Sequence, residues 1–223
     1  MNEPALHSAL PTNQPEQYDY ILLDGSGSME GQLWWDSLAA IDSYVATLRS
    51  LNTKSHIHLS IFTSPKENID LTARDCAIDD WVPLLQEPVG SHWRYTPLFD
   101  AIEVMCFKLS QLNPDRASLV IVTDGDENGS ESCDEARARS LLDWARAKGW
   151  SVTFIGCDFN NSHIAKKLGA TPSGAIGVQR HLLSEAAADL ARKRHRYGLT
   201  GDPVHWSEDE QRQFGGLLAG PSK

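Results

Sequence analysis

Two runs of apolar residues, each followed by an aspartate, constrain the fold of this chain more than any other feature. The run 18–23 precedes Asp24, and the run 117–123 precedes Asp124. Strands with such nearly continuous apolar character are typical of the centre of a parallel sheet, where both faces are buried. Ligands bind at the carboxyl ends of strands in such sheets, so we expect Asp24 and Asp124 to lie together at one edge.

Strand-like and helical segments alternate along the rest of the chain. Strands are expected at 18–23, 56–62, 69–73, 117–123, 151–157 and 175–178, and helices at 31–51, 98–112, 134–148, 163–168 and 182–194. A helical turn and a loop are expected over 77–90. This alternation predicts an α/β fold: a doubly wound, mostly parallel open sheet of Rossmann-like type with helices on both faces.

We expect one domain with a tail at each end. The domain covers 17–196, because 223 residues of which 41% are hydrophobic can bury one sizeable core. Residues 1–16 carry prolines among polar residues and are predicted to form a disordered leader. In the tail, 197–223, the capping-box pattern of Ser207–Glu210 predicts a short helix over 208–214. The basic run 192–196 is expected at the C-terminus of a helix, where the helix dipole favours cations.

Charge and cysteine content argue against several classes of function. The net charge of −10 disfavours binding to nucleic acid, which requires basic patches. No apolar run is long enough to span a bilayer, and the N-terminus lacks the basic and apolar regions of a signal peptide. The four cysteines form no C-x-x-C pair, so free thiols are expected. These features favour a cytoplasmic protein without a membrane partner.

The residues that follow the first apolar run have the composition of a binding site. Asp24 is followed by alternating glycines and serines, with Ser26 and Ser28 as the hydroxyl-bearing positions. Glycines let the backbone pass close to a bound group. Carboxylate and hydroxyl oxygens suit a hard cation such as Mg²⁺ or Ca²⁺ and do not suit zinc or copper. Thr96, ahead of a helix, and Asp124 supply two further oxygen-bearing side chains.

This set of residues resembles the metal-ion-dependent adhesion site of a von Willebrand factor A domain, of the stand-alone prokaryotic type. The resemblance rests on Asp24-x-Ser26-x-Ser28, on Thr96 before a helix, and on the Thr-Asp-Gly sequence that contains Asp124. It implies that Ser26, Ser28 and Thr96 bind Mg²⁺ directly, with Ca²⁺ or Mn²⁺ as substitutes. Asp24 and Asp124 are expected to act largely through water.

The resemblance also implies a function in recognition between proteins, without catalysis. Neutral hydroxyls leave the charge of a dication poorly compensated, so an open position on the ion attracts a Glu or Asp carboxylate from a partner protein. Cytoplasmic bacterial members of the family work with AAA+ ATPases, which suggests such a system as the partner's setting. The segment His92–Tyr95 departs from the glycines that the family usually carries there. We expect it to lie on the rim of the site.

An enzyme is the main alternative. A strand that ends in Asp24, together with a downstream Thr-Asp-Gly-Asp loop, is also similar to haloacid-dehalogenase-like phosphatases, with Asp24 as the nucleophile. Those enzymes need a second acid two residues later as the general acid, and this chain has Ser26 there. The glycines of 25–31 imitate a dinucleotide-binding loop, but the second strand does not end in an acid that could hold a ribose.

The loop after Asp124 raises the question of a second ion site. Asp124, Asp126 and Asn128, followed by Gly129 and Glu135, fit the spacing of an EF-hand calcium loop. The context differs, because a buried strand precedes the loop where an EF-hand has a helix. A second Ca²⁺ site that uses Asp126 and Asn128 therefore stays open beside the preferred interpretation, in which the loop forms the rim of the first site.

Overall fold

The computed structural model describes residues 17–64, 69–90, 94–157 and 161–215, and the expected leader 1–16 lies outside them. The strands are β1 (Gln17–Asp24), β2 (His56–Phe62), β3 (Leu71–Ala77), β4 (Arg116–Thr123), β5 (Ser151–Cys157) and β6 (Ala175–Val178). The helices are α1 (Gln32–Ser50), α2 (Leu98–Leu112), α3 (Glu135–Ala147), α4 (Asn161–Lys167), α5 (Leu183–Thr200) and α6 (Glu208–Gly215).

The six strands form one open, mostly parallel sheet in the order β3-β2-β1-β4-β5-β6. β1 pairs in parallel with β2 on one side and with β4 on the other. Of the strands in the described residues, only the edge strand β3 runs antiparallel, against β2. The two central strands are therefore the two apolar runs, as the sequence predicted. The strand order reverses between them.

Side chains of successive strand residues pack on opposite faces of the sheet. Ile21 and Leu23 of β1 belong to a core with α1 and α5. Tyr20 and Leu22 belong to a second core, with α2, α3 and α4. This division follows from the period of two in a strand, and it explains why both central strands are apolar almost throughout. The predicted α/β fold with helices on both faces is confirmed.

The last helix of the predicted domain is longer than expected. α5 continues to Thr200 and ends at Gly201, which has the positive φ of 84° that favours glycine at this position. The tail then returns to the domain, because Trp206 and Phe214 are buried in the core with α1 and α5. α6 covers the edge strand β6, and Gln179 N donates to Phe214 O (2.8 Å).

The interpretation of the basic run 192–196 as cations at a helix C-terminus was wrong, because α5 continues to Thr200 and its last turn carries no basic residue. The buried residue of the run is Arg194. This side chain lies inside α5, fully buried, and pairs with Asp19 of β1 (Nε to Oδ1, 2.6 Å; Nη2 to Oδ2, 3.0 Å). Tyr44 of α1 donates a further hydrogen bond to Asp19 (2.7 Å). A buried ion pair needs such extra hydrogen bonds to offset the loss of hydration. The pair thus joins α5 to the central strand.

Two expected boundaries on the β3 side of the sheet also differ. The edge strand begins at Leu71 and extends to Ala77, because its antiparallel pairing with β2 continues until Ala77 lies opposite His56. The helical turn expected within 77–90 is limited to a short 3₁₀ turn, Ile78–Asp80. Among the described helices, none is both long and apolar enough to cross a membrane.

Candidate metal centre

Asp24 ends β1 and is completely buried. Its Oδ1 accepts a hydrogen bond from the backbone N–H of Ser26 (2.8 Å), and its Oδ2 accepts one from Thr123 Oγ1 (2.5 Å). Thr123 is the last residue of the neighbouring strand β4. These contacts fix the carboxylate between the two loops that follow β1 and β4. Thr123 is a positioning residue that the sequence analysis did not single out, although it stands in the same Thr-Asp-Gly sequence as Asp124.

The predicted hydroxyl-bearing residues converge beside this carboxylate. Ser26 Oγ and Ser28 Oγ lie 3.1 Å apart. The Thr96 hydroxyl lies close to the serines, as the surroundings of Gly125 show. A Cβ atom added to Gly125 would be 3.2 Å from Ser28 Oγ and 3.5 Å from Thr96 Oγ1. The same point is 3.9 Å from Asp24 Oδ2. Three segments that are far apart in sequence therefore bring their oxygen atoms to one edge of the sheet, and glycine leaves them room.

Backbone hydrogen bonds join the segment before α2 to the loops after β1 and β2. Gly27 N donates to Arg94 O (2.9 Å), and Ser64 N donates to Tyr95 O (3.2 Å). These bonds place Thr96 next to the serines. Arg94 and Tyr95 are exposed on the rim, in agreement with the expectation for His92–Tyr95. The first two residues of that segment, 92–93, lie outside the described residues.

The loop after β4 is fastened to the start of α2 by side chains that bind backbone groups. Asn128 Oδ1 accepts from Thr96 N (2.8 Å), and Asn128 N donates to Thr96 O (3.2 Å). Glu127 accepts from Phe99 N (3.0 Å), which is one of the N–H groups left without a partner within the helix. Asp100 of α2 in turn accepts from the backbone of the loop, including Glu131 N (2.9 Å). The loop and the helix hold each other, and Thr96 is held between them.

These contacts bear on the alternative of an EF-hand calcium loop. The side-chain oxygen of Asn128 accepts a hydrogen bond from Thr96 N. Glu135 is the first residue of α3, and its Oε2 lies 3.6 Å from Lys167 Nζ. Asp126 is exposed. Two of the side chains that a calcium loop would require are thus engaged elsewhere. The arrangement favours the loop as a rim of the first site.

Burial raises the pKa of the Asp24 carboxyl to about 6, although hydrogen bonds from Thr123 and Ser26 act in the opposite direction. The charge of nearby Asp124 adds to the rise. The protein therefore keeps a buried carboxylate at an energetic cost near neutral pH, beside hydroxyl groups that cannot neutralise it. A positive ion at this position would remove that cost.

The donors present at this edge fit a hard dication. They are oxygen atoms only, and Ser28 is exposed, so the group can be reached from solvent. Among the described residues, no cluster of three or more His, Cys, Asp or Glu side chains is arranged to hold a metal. A zinc or copper site of the usual kind is therefore not formed by the described part of the chain. Mg²⁺, Ca²⁺ and Mn²⁺ suit a set of hydroxyls and carboxylates.

The same geometry is a poor match for nucleophilic catalysis. Asp24 has no exposed surface, so a phosphoester could not reach its oxygen atoms without rearrangement. The hydroxyls of Ser26 and Ser28 hydrogen-bond each other. In the first turn of α1, Trp34 is buried and Trp35 is exposed (46%).

Comparison with known proteins identifies the fold. No protein-family model matches the sequence, and no curated protein is detectably similar to it. A von Willebrand factor type A structure from Catenulispora acidiphila superposes with a TM-score of 0.59 at 16% identity, over 81% of this chain and 43% of that one. The pilus adhesin SpaC from Lactobacillus rhamnosus GG gives 0.66 at 11% identity, over 82% and 31%.

A third structure is similar over almost its whole length. The vWF domain of the type V pili tip protein Mfa5 from Porphyromonas gingivalis gives a TM-score of 0.60 at 10% identity, over 87% of this chain and 99% of that domain. The chain thus spans less than half of the first two structures and the equivalent of one domain of the third. At these identities the likeness establishes a von Willebrand factor A type fold and no more.

Proposed function

We propose that this protein is a divalent-metal-dependent recognition module that binds an acidic residue of a partner protein. The convergence of Ser26, Ser28 and Thr96 beside the buried Asp24 is the observation that carries the proposal. Asp124, which follows β4 directly, completes the proposed set of metal-binding residues. The ion is Mg²⁺, with Ca²⁺ and Mn²⁺ as substitutes, because all of these donors are oxygen atoms.

The residues of the chain have separate roles in this proposal. The three hydroxyl groups bind the cation, and the carboxylates of Asp24 and Asp124 compensate its charge largely through water. A bound dication would supply an electrophilic centre for a carboxylate oxygen of the partner. Thr123 and the N–H of Ser26 hold Asp24 in place for this purpose. Asn128 does the same for the backbone of Thr96.

Recognition is a better proposal than hydrolysis for this site. A phosphatase of the haloacid-dehalogenase type requires an accessible aspartate and a second acid two residues later. Asp24 is fully buried, and the second position holds Ser26, whose N–H donates to Asp24. Two of the similar structures are a pilus adhesin and a domain of a pilus tip protein. We carry over from them only the general class of function, which is adhesion or recognition between proteins.

The location and the pathway remain proposals based on sequence. We propose a cytoplasmic protein whose partner belongs to an AAA+ ATPase system, and which binds neither nucleic acid nor membrane. All four cysteines are free thiols in the structure, and three of them are buried. Mass spectrometry of protein alkylated without reduction checks the compartment: an intramolecular disulfide in protein from its native source would contradict a cytoplasmic location.

Binding of a short acidic peptide tests the proposed function. Mn²⁺ in the site broadens the NMR signals of a peptide that binds next to it, so weak binding is measurable. We expect the Mn²⁺-loaded protein to broaden the glutamate signals of acetyl-Gly-Gly-Glu-Gly-Gly-amide and to leave its glutamine counterpart unaffected. Thr96→Val, which removes the hydroxyl at nearly constant volume, should abolish the effect, and Thr96→Ser should retain it. Equal broadening of both peptides would show that no carboxylate is recognised.

A further inference from the structure

The segment that precedes Thr96 presents two exposed side chains beside the candidate metal centre. Arg94 is exposed, and Tyr95 exposes 65% of its surface. Their backbone is held on both sides, because Arg94 O accepts from Gly27 N and Tyr95 O accepts from Ser64 N. A large aromatic side chain on a rigid backbone loses little entropy when it binds, which is why such residues are frequent anchors of protein interfaces.

Tyr95 is also packed against the loop on the other side of the site. A Cβ atom added to Gly129 would lie 2.9 Å from Tyr95 Cβ and 3.2 Å from Pro97 N. The two segments are therefore in such close contact that only glycine fits at position 129. The Cβ of Tyr95 is therefore confined against the loop after β4, next in sequence to Thr96, while the ring stays exposed.

The charges around the site are strongly unequal. The segments that border it are described over 24–32, 61–64, 94–100 and 123–131, and within these ranges Arg94 is the one basic residue. Glu30, Asp126 and Glu131 are exposed acids in the same ranges. They repel a carboxylate that approaches from solvent, and the chain as a whole carries a net charge of −10. Among the described residues of the rim, Arg94 is the side chain that attracts a carboxylate.

We propose that Arg94 and Tyr95 determine which partner the metal centre accepts. The partner segment carries two acidic residues, one for the metal and a second that pairs with Arg94. This inference rests on the proposed function, because the first acid needs the metal. The planar guanidinium matches a carboxylate better than an ammonium does. In an extended segment, side chains two residues apart point to the same side, so the two acids are separated by one residue. Tyr95 packs against the chain between them.

Two peptides that differ in one charge test this selection. Acetyl-Gly-Glu-Gly-Glu-Gly-amide and acetyl-Gly-Glu-Gly-Lys-Gly-amide are titrated with the Mn²⁺-loaded full chain, and dissociation constants are taken from NMR line broadening. We expect the wild-type protein to prefer the first peptide by about three- to fivefold, the upper part of the range of an exposed ion pair. Arg94→Gln should abolish or reverse this preference. Arg192→Gln, which removes an exposed charge from α5, should leave it unchanged.

The role of Tyr95 is measured with the same peptides. Tyr95→Ala should weaken both by a similar factor, because the ring packs on the chain and does not read charge. Tyr95→Phe should restore most of the affinity.

The outcomes separate this inference from the proposed function. If neither peptide binds the wild type in a metal-dependent manner, both fail. If both bind with the metal but with equal affinity, or if Arg94→Gln keeps the preference, the metal centre stands and the role of Arg94 is wrong. If Tyr95→Ala binds both peptides as the wild type does, the contribution of the ring is wrong.

Discussion

The cost of the buried Asp24 carboxylate can be measured by removing its charge. Replacement by asparagine keeps the shape of the side chain. The remaining side-chain oxygen still accepts from Ser26 N. The new amide N–H₂ can donate to Thr123 Oγ1, whose own proton can turn towards Gly125 O, 3.4 Å away. The substitution therefore leaves no buried polar group without a hydrogen-bond partner, which is the usual reason for a large loss of stability.

The expected gain follows from the raised pKa. A rise from 3.8 to about 6 corresponds to roughly 3 kcal/mol of unfolding free energy, at about 1.4 kcal/mol per pKa unit. Because the folded state holds this proton more tightly than the unfolded state, wild-type stability is lost as the pH rises from about 4 through about 6. Asp24→Asn has no carboxyl group at this position, so its stability does not fall in this pH range. We expect it to be more stable than the wild type by about 3 kcal/mol at pH 8 in EDTA, or roughly 6–12 °C in melting temperature.

Metal ions should reverse this order. The wild type gains stability by mass action, about 4.1 kcal/mol when Mg²⁺ is present at roughly a thousand times its dissociation constant, which exceeds the difference in EDTA. Asp24→Asn should gain much less, because the compensating charge is absent. Thermal denaturation by circular dichroism at pH 4.5 and pH 8, with EDTA or Mg²⁺, measures all four conditions. Asp126→Asn, at an exposed carboxylate of the rim, is the matched control and should change little. A destabilised Asp24→Asn at pH 8 in EDTA, or a difference independent of pH, would refute the reasoning.

Three further predictions concern single side chains. Ser28→Ala should weaken Mg²⁺ binding by about tenfold or more in calorimetry, because it removes a ligand oxygen. Its melting temperature in EDTA should stay unchanged, since Ser28 is exposed. Unfolding of this variant would mean that the serine is structural. Asp126→Ala should leave the number of Ca²⁺ ions bound in calorimetry unaltered, because Asn128 and Glu135 are engaged elsewhere; loss of a binding event would restore the calcium-loop interpretation. Arg194→Leu should lower the free energy of unfolding, measured with denaturant, by about 3–5 kcal/mol, because Asp19 is left as an unpaired buried charge. Arg192→Leu, on the exposed side of α5, should lower it by less than about 1 kcal/mol. Similar values for the two variants would contradict the role of the pair.

The central strands and the convergence of the site residues could be predicted from sequence because local patterns encode them. β1 and β4 are continuous apolar runs, and the rule that ligands bind at the carboxyl ends of parallel strands then places Asp24 beside the Thr-Asp-Gly loop. Thr96 could be placed because α2 begins directly after it. Each of these inferences needs only short segments and one general property of parallel sheets.

The remaining features depend on partners that are distant in sequence. Arg194 belongs to a basic run that is typical of an exposed helix end, and its partner Asp19 lies in the first strand. The one signal available was an aspartate within an otherwise apolar strand. Glu127 and Asp100, which fasten the loop to α2, act on backbone groups of the opposite segment, and side-chain type alone does not show this. The burial of Trp206 likewise depends on where the tail returns.

A crystal soaked in Mn²⁺ tests the proposed metal centre most directly. Data collected near the manganese absorption edge locate the ion by its anomalous signal, which distinguishes it from a water molecule. We expect a single strong peak within coordination distance of the hydroxyls of Ser26, Ser28 and Thr96, with Asp24 and Asp124 nearby, and no such peak in crystals of Ser28→Ala soaked in the same way. A wild-type crystal in which no anomalous signal lies among these side chains would contradict a metal-dependent function for this chain.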